Sequence, residues 1–206
     1  MKPLYGFTVL LATGLLASAA PARADGFISP SVGVNFGGQA GGTLVSNTST
    51  AATSPTSAGS KINWGVAAGW MGKGVVGVEE DFKWSPDFFG HGGQWDSSKV
   101  ITLMTNVIVG APIGGQKGGG IRPYAALGVG YIGQRINTVT NVGNFSENAF
   151  GWDAGVGVMG YFSDNIGLRF DYRYFRNFQE TSTNTIGLGA GHFSFNSASI
   201  GVLFRF

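Results

Sequence analysis

Two sets of residues in this 206-residue chain could do chemistry: a few isolated histidine, serine and glycine motifs, and a larger group of charged side chains on alternate positions. His192-Phe193-Ser194 sets an imidazole two residues from a hydroxyl, the pairing used in acyl transfer when a carboxylate orients the imidazole. The last acidic residue is Glu180, upstream of the pair, so no carboxylate follows Ser194 to complete such a triad. A loop-to-strand junction with an incidental His and Ser accounts better for the pair. His91, the other histidine, stands alone in a glycine-rich stretch and builds no metal site. The absence of cysteine excludes disulfides, thiolate metal ligands and a cysteine nucleophile. Gly128-Val129-Gly130 has no helix pattern after it and reads as strand packing, not as a phosphate loop. No cofactor is implied.

The charged group has more order. Glu79, Asp81 and Lys83 recur every second residue, as do Arg169, Asp171 and Arg173, and Asp153 and Arg205 share the charged parity of their own segments. A period of two is that of a β-strand, whose successive side chains point to opposite faces. The other parity is apolar: Ile62, Trp64, Val66, Ala68 and Trp70; then Phe150, Trp152, Ala154, Val156 and Val158; then Leu168, Phe170, Tyr172 and Tyr174; then Ile200, Val202, Phe204 and Phe206. Glu80 alone breaks this rule, since it shares parity with Val76, Val78, Phe82 and Trp84. A carboxylate facing lipid costs about 2 kcal/mol or less, and a β-bulge near Glu79 and Glu80 is expected to shift the register and remove the conflict.

The elements that would carry these faces are eight alternating segments, near 26 to 36, 62 to 71, 75 to 84, 99 to 110, 121 to 133, 149 to 162, 166 to 176 and 192 to 206. Their links alternate in length. Gly37 to Lys61, Pro86 to Ser98, Gln134 to Asn148 and Asn177 to Gly191 are long, whereas Gly72-Lys73-Gly74 and Ser163-Asp164-Asn165 are short; Pro112 to Gly120 is padded with glycine. After residue 24 no apolar run approaches the roughly 18 residues that a membrane-spanning helix needs. Four of the five tryptophans (Trp64, Trp70, Trp84, Trp152) lie on the apolar parity, three near segment ends, where interfacial girdles of a membrane-spanning barrel belong. A soluble sandwich would bury one face of each strand and expose the other to water, and it leaves these aromatic rows unexplained.

Composition agrees. Glycine supplies 36 residues and aromatics 13%, while charged residues are 12%, half the roughly 25% usual in globular domains. Such a surface suits lipid. The N-terminus reads as an export signal: Lys2, an apolar run from Phe7 to Leu16, and Ala22-Arg23-Ala24 as a small-x-small cleavage site, with Asp25 as the first mature residue. Of 13 basic and 11 acidic residues, Lys2 and Arg23 leave with it, so the mature part is neutral and its charge gives no case for nucleic acid.

Gly77-Val78-Glu79-Glu80-Asp81-Phe82, Asn106, Arg122-Pro123-Tyr124 leading into Gly128-Val129-Gly130-Tyr131, and Gly167-Leu168-Arg169-Phe170-Asp171-Tyr172-Arg173-Tyr174 together resemble the small eight-stranded outer-membrane barrels. That family includes the OmpA transmembrane domain, OmpX, the opacity-like proteins and many α-proteobacterial surface proteins. The resemblance covers 25 to 206, and it implies an all-β, antiparallel, up-and-down barrel of eight strands in the outer membrane. Both termini would then be periplasmic, the 37 to 61 segment outside the cell, and lipid and lipopolysaccharide the surroundings. The terminal Ile200-Gly201-Val202-Leu203-Phe204-Arg205-Phe206 looks like the strand that the outer-membrane assembly machinery reads. Some barrels of this kind deacylate lipid A with a His-x-Ser pair and a downstream Glu, which this chain lacks.

An eight-stranded barrel has an interior that side chains just fill. Glu79, Asp81, Lys83, Asp153, Arg169, Asp171, Arg173 and Arg205 are therefore expected to pair inside as a charge network, with Asn63, Asn106 and Tyr124. Gly65, Ala67, Gly69, Gly77, Ala126, Gly128, Gly130, Gly155, Gly157 and Gly201 share the inward parity. They either make room for long side chains from facing strands or leave space for water and a narrow path. The expected function is a non-enzymatic envelope barrel with surface-exposed loops, a narrow porin-like channel being the alternative; the ligand of the loops is left open.

Overall fold

The computed structural model describes residues 24–40, 43–46, 49–52, 56–72, 75–86, 88, 95–114, 119–138, 145–178 and 193–206. Eight strands form the wall: β1 (Ala24–Ala40), β2 (Lys61–Gly72), β3 (Val76–Pro86), β4 (Trp95–Gly110), β5 (Gly120–Thr138), β6 (Phe145–Tyr161), β7 (Ile166–Asn177) and β8 (Phe193–Arg205). Each pairs antiparallel with its sequence neighbours, and β1 pairs with β8, so the sheet closes on itself. The seam is sealed at the termini by reciprocal backbone bonds, Gly26 N–H to Phe206 O at 3.0 Å and Phe206 N–H to Gly26 O at 2.9 Å. Closure leaves no unpaired edge, the condition for crossing a bilayer with strands.

Burial alternates along every strand. On β7, Gly167, Arg169, Asp171, Arg173, Phe175 and Asn177 are buried while Phe170 and Tyr172 are exposed. The charged parity faces the lumen and the apolar parity faces out, as the sequence pattern requires. The first and last described residues and the short turns lie at one end, here the terminus end. Its tightest turn joins β2 to β3, where Val75 N–H donates to Gly72 O at 3.1 Å. The β6–β7 turn is clamped to β8: Arg205 N–H donates to Asn165 O at 2.8 Å and the Arg205 Nε–H to Asp164 O at 2.7 Å.

Opposite lies the loop end, where the strands overrun the apolar band. β5 has 19 residues and β6 has 17, against 11 in β3. About 9 to 11 residues suffice for a tilted strand to cross a bilayer, so the β5–β6 hairpin projects well beyond it. The stretch read as one polar link, 37 to 61, also holds strand: β1 runs on to Ala40, Thr43–Ser46 pairs with Ser49–Ala52, and Thr56–Ala58 pairs with Gly38–Ala40. Hairpin hydrogen bonds continue past the bilayer edge, whereas the apolar alternation that marks them in sequence stops there.

The expected bulge at Glu79 and Glu80 is absent. Both pair in unbroken register, Glu79 with Gly69 and Asn106, Glu80 with Ala68 and Thr105. The seam carries an irregularity instead, between Phe36 and Gln39, where Gly37 takes φ +63°. Only glycine adopts that left-handed backbone at no steric cost, and a bulge there bends the strand at the barrel rim.

Candidate functional site

The lumen is organised in three levels. At mid-height β7 contributes Arg169, Asp171 and Arg173, and β3, four strands away on the opposite wall, contributes Glu79, Asp81 and Lys83. Arg173 is fully buried and binds four carboxylates: Glu79 Oε1 at 2.5 Å, Asp171 Oδ1 at 2.7 Å, Asp153 Oδ2 at 2.8 Å and Asp81 Oδ2 at 3.6 Å. Arg169 pairs with Glu79 Oε2 and, at 2.8 Å, with Asp171 Oδ2. Its Nε–H donates to the Tyr124 hydroxyl at 2.7 Å, and that hydroxyl donates to Asp171. Lys83 sits 3.7 Å from Asp81 and 3.9 Å from Asp171. The two arginines thus brace β7 against β3 across the full width of the barrel.

This arrangement follows from residue type. A guanidinium spans the lumen, offers five donors in a planar fork and keeps its charge, which suits a dry site with several carboxylates. Small residues make the space. A Cβ on Gly157 would overlap the Tyr124 ring, which lies across that glycine from the paired position on β5. A Cβ on Gly128 would strike Asn106 Oδ1 and Asp153 Oδ1, two buried oxygens that lack a hydrogen-bond donor. The inward glycines at these two positions therefore accommodate neighbouring side chains and do not open a path.

Of the residues expected to pair inside, the lumen brings together Glu79, Asp81, Lys83, Asp153, Arg169, Asp171 and Arg173. Arg205 stands apart at the terminus end, its guanidinium 4.5 Å from the centroid of Tyr161. It shares that ring with Arg122, whose guanidinium lies 5.3 Å away and whose Nη1–H donates to the Tyr161 hydroxyl at 3.3 Å. Arg205 is one residue from the chain end, too far along β8 to reach the belt. Arg122 was not among the expected lumen charges, although it shares the inward parity of Tyr124. Asn63 and Asn106 are buried as expected; the Asn63 amide donates to Asn35 Oδ1 at 2.6 Å.

Apolar layers close the lumen on both sides of the belt. At the terminus end Phe27, Met71, Ile108, Met159, Tyr161 and Leu203 form a buried cluster. At the loop end Phe88 folds in from beyond β3 and packs against Phe193 and Phe195, with ring centroids 5.6 Å and 5.2 Å away. Phe175 stacks on Phe195 at 4.7 Å, and Val100, Met104 and Ile132 complete the layer. Between the layers a cavity of about 10 Å³ lies beside Ser29, Ser31, Ser199, Asp81 and Lys83, room for about one water. These large apolar lumen residues were missed because the inward face was read from its polar and small residues.

The outer face carries the rows of apolar residues, including Ile200, Val202, Phe204 and Phe206, all exposed. Glu80 also faces outward, half-buried, and accepts a hydrogen bond from the Thr105 hydroxyl at 2.8 Å. Ser194 lies on this face near the loop end, opposite Arg176. His192, Glu180 and His91 lie outside the described residues, as does the export signal through Arg23. No group of acids and histidines among the described residues has metal-site geometry.

The chain matches the family described as outer membrane protein β-barrel domain over residues 8–206. Among solved structures it is similar to the outer membrane protein OprG from Pseudomonas aeruginosa, with a TM-score of 0.64 at 14% identity, covering 89% of this chain and 96% of that one. It is also similar to Neisserial surface protein A, with a TM-score of 0.53 at 13% identity, covering 86% and 96%. At these identities the likeness is one of fold. No curated protein sequence matches.

Proposed function

Because the chain belongs to the outer-membrane β-barrel family, we propose that it is a non-enzymatic, non-conducting barrel that braces the envelope and presents its long loops at the cell surface. The observation that carries this reading is the three-level lumen: an ionic belt between two apolar layers, with a cavity of about 10 Å³ between them. A hydrated ion needs a continuous wet path, and neither apolar layer offers one. In this reading the termini are periplasmic and the loop end is extracellular, which fits short turns at one end and long hairpins at the other. Phe204 and Phe206 at the end of β8 serve recognition by the assembly machinery, and the loops carry whatever surface contact the protein makes.

The second reading, a narrow ion path, has one feature in its favour, the serine-lined side of the lumen. Single-channel recording of the refolded mature protein in a planar bilayer separates the two, counting only preparations with heat-modifiable gel mobility. A folded barrel that never conducts supports the closed reading. Discrete, reproducible steps would overturn it in favour of a path along β1, β2 and β8.

A further inference from the structure

Glu80 is a hydrogen-bonding group set within the apolar band of the outer face. On β3 it stands between the outward Val78 and Phe82, and across the ladder it is flanked by Ala68 on β2 and Thr105 on β4. The register on both sides is unbroken, so nothing turns the carboxyl away from lipid. The tryptophans mark its depth. Trp70 lies opposite Val78, two residues toward the terminus end, and the Trp64–Trp84 pair lies four residues toward the loop end. Between two such girdles lipid tails offer neither donor nor acceptor. Thr105 donates to Oε1 at 2.8 Å, and among the described residues Oε2 has no hydrogen-bond partner.

A partner for Oε2 must reach the same depth, so it must itself be a side chain embedded in the membrane. A second copy of this chain supplies one by symmetry. Related by a twofold axis along the membrane normal, two barrels bring Glu80 against Glu80. In the acid form, with the proton on Oε2, each carboxyl donates to Oε1 of the other, and the second lone pair of Oε1 keeps the bond from Thr105. The small neighbours Ala68 and Thr105 let the two walls approach at this point. Around it Val66, Val78, Phe82 and Val107, all exposed, supply apolar contact. We propose that the β2–β4 face is a self-association surface, on which the barrel pairs with a second copy through Glu80. In a single barrel this carboxyl only costs stability, and pairing offsets that cost. The pairing requires a bilayer and is independent of whether the lumen conducts.

The chain has no cysteine, so Gly59→Cys, an exposed position with no atom near its missing Cβ, takes a single dye. The full chain is expressed, and folded barrels carrying donor or acceptor are mixed in phosphatidylcholine vesicles at falling protein density, counting only preparations with heat-modifiable gel mobility. Energy transfer is expected to exceed that of randomly placed barrels. Glu80→Leu lowers the association constant about tenfold, whereas Glu80→Gln, whose amide also donates and accepts, keeps most of it. Ala68→Leu leaves the carboxyl in place but fills the ground beside it, and weakens pairing too. A short bis-maleimide joins barrels carrying Val78→Cys, on the paired face, and not those carrying Phe170→Cys, exposed on the opposite wall. Transfer at the random level, or transfer unchanged by Glu80→Leu, would overturn the proposal. So would a loss in Glu80→Gln as complete as in Glu80→Leu, or equal cross-linking at the two cysteine positions.

Discussion

Glu79 and Glu80 are adjacent in the chain and sit on opposite faces of β3. Glu79 is wholly buried and held by Arg169 from one side and by Arg173, at 2.5 Å, from the other. Glu80 looks outward from an apolar face, with the Thr105 hydroxyl at 2.8 Å. One carboxylate anchors a brace across the lumen and the other is an expense of its position. A single residue of register decides which, because the side-chain period of a strand is two.

The sharpest way to break this comparison is to remove one side of the brace. Glu79→Ala leaves two buried guanidinium groups short of a partner and is expected to destabilise the barrel by about 3–5 kcal/mol, read from urea unfolding in lipid vesicles by tryptophan fluorescence. A loss below about 1 kcal/mol would mean that the belt is wet and contributes little. Gly157→Ala tests the space beneath Tyr124, which must leave its seat between Arg169 and Asp171; a loss of roughly 1–3 kcal/mol is expected in the same assay. Outside, the sign reverses. Glu80→Leu should stabilise the folded barrel by about 1–2 kcal/mol in bilayers, and a loss of stability would show that the hydrogen bond from Thr105 outweighs the cost of placing the carboxylate against lipid. The smallest effect is that of Thr105→Val, expected to cost about 1 kcal/mol or less and nothing at all once Glu80 has become leucine; a double-mutant cycle measures this.

The fold was legible because lipid and lumen impose opposite chemistry on alternate residues. Ile62 to Trp70 and Leu168 to Tyr174 announce an outer face with no water to contact, and Arg169, Asp171 and Arg173 announce the face that avoids lipid. What the sequence hid has two physical causes. Strand ends beyond the bilayer, such as Ile136 and Thr138 on β5, pair through backbone groups that leave no trace in side-chain pattern. Inside, Met71, Met104, Met159 and Phe175 share parity with the charges, and an apolar residue on a polar face carries no mark of the layer it builds. Arg122 was within reach of the same parity rule that found Tyr124. Phe88 was not, since it enters the lumen from a connection beyond Pro86. Arg205 shows the limit of parity, which fixes the face of a residue but not its depth.

The brace joins residues that are far apart along the chain: Arg169 is 90 positions from Glu79, and Arg173 is 94. Contacts of such separation carry a large loop-closure cost. A barrel still open at the β1–β8 seam has β3 and β7 on a sheet not yet curled round, so their charges face each other only once the cylinder has formed. The ionic belt thus acts as a latch on the finished assembly: it lends little to the intermediates that precede closure, and it raises the barrier to reopening afterwards.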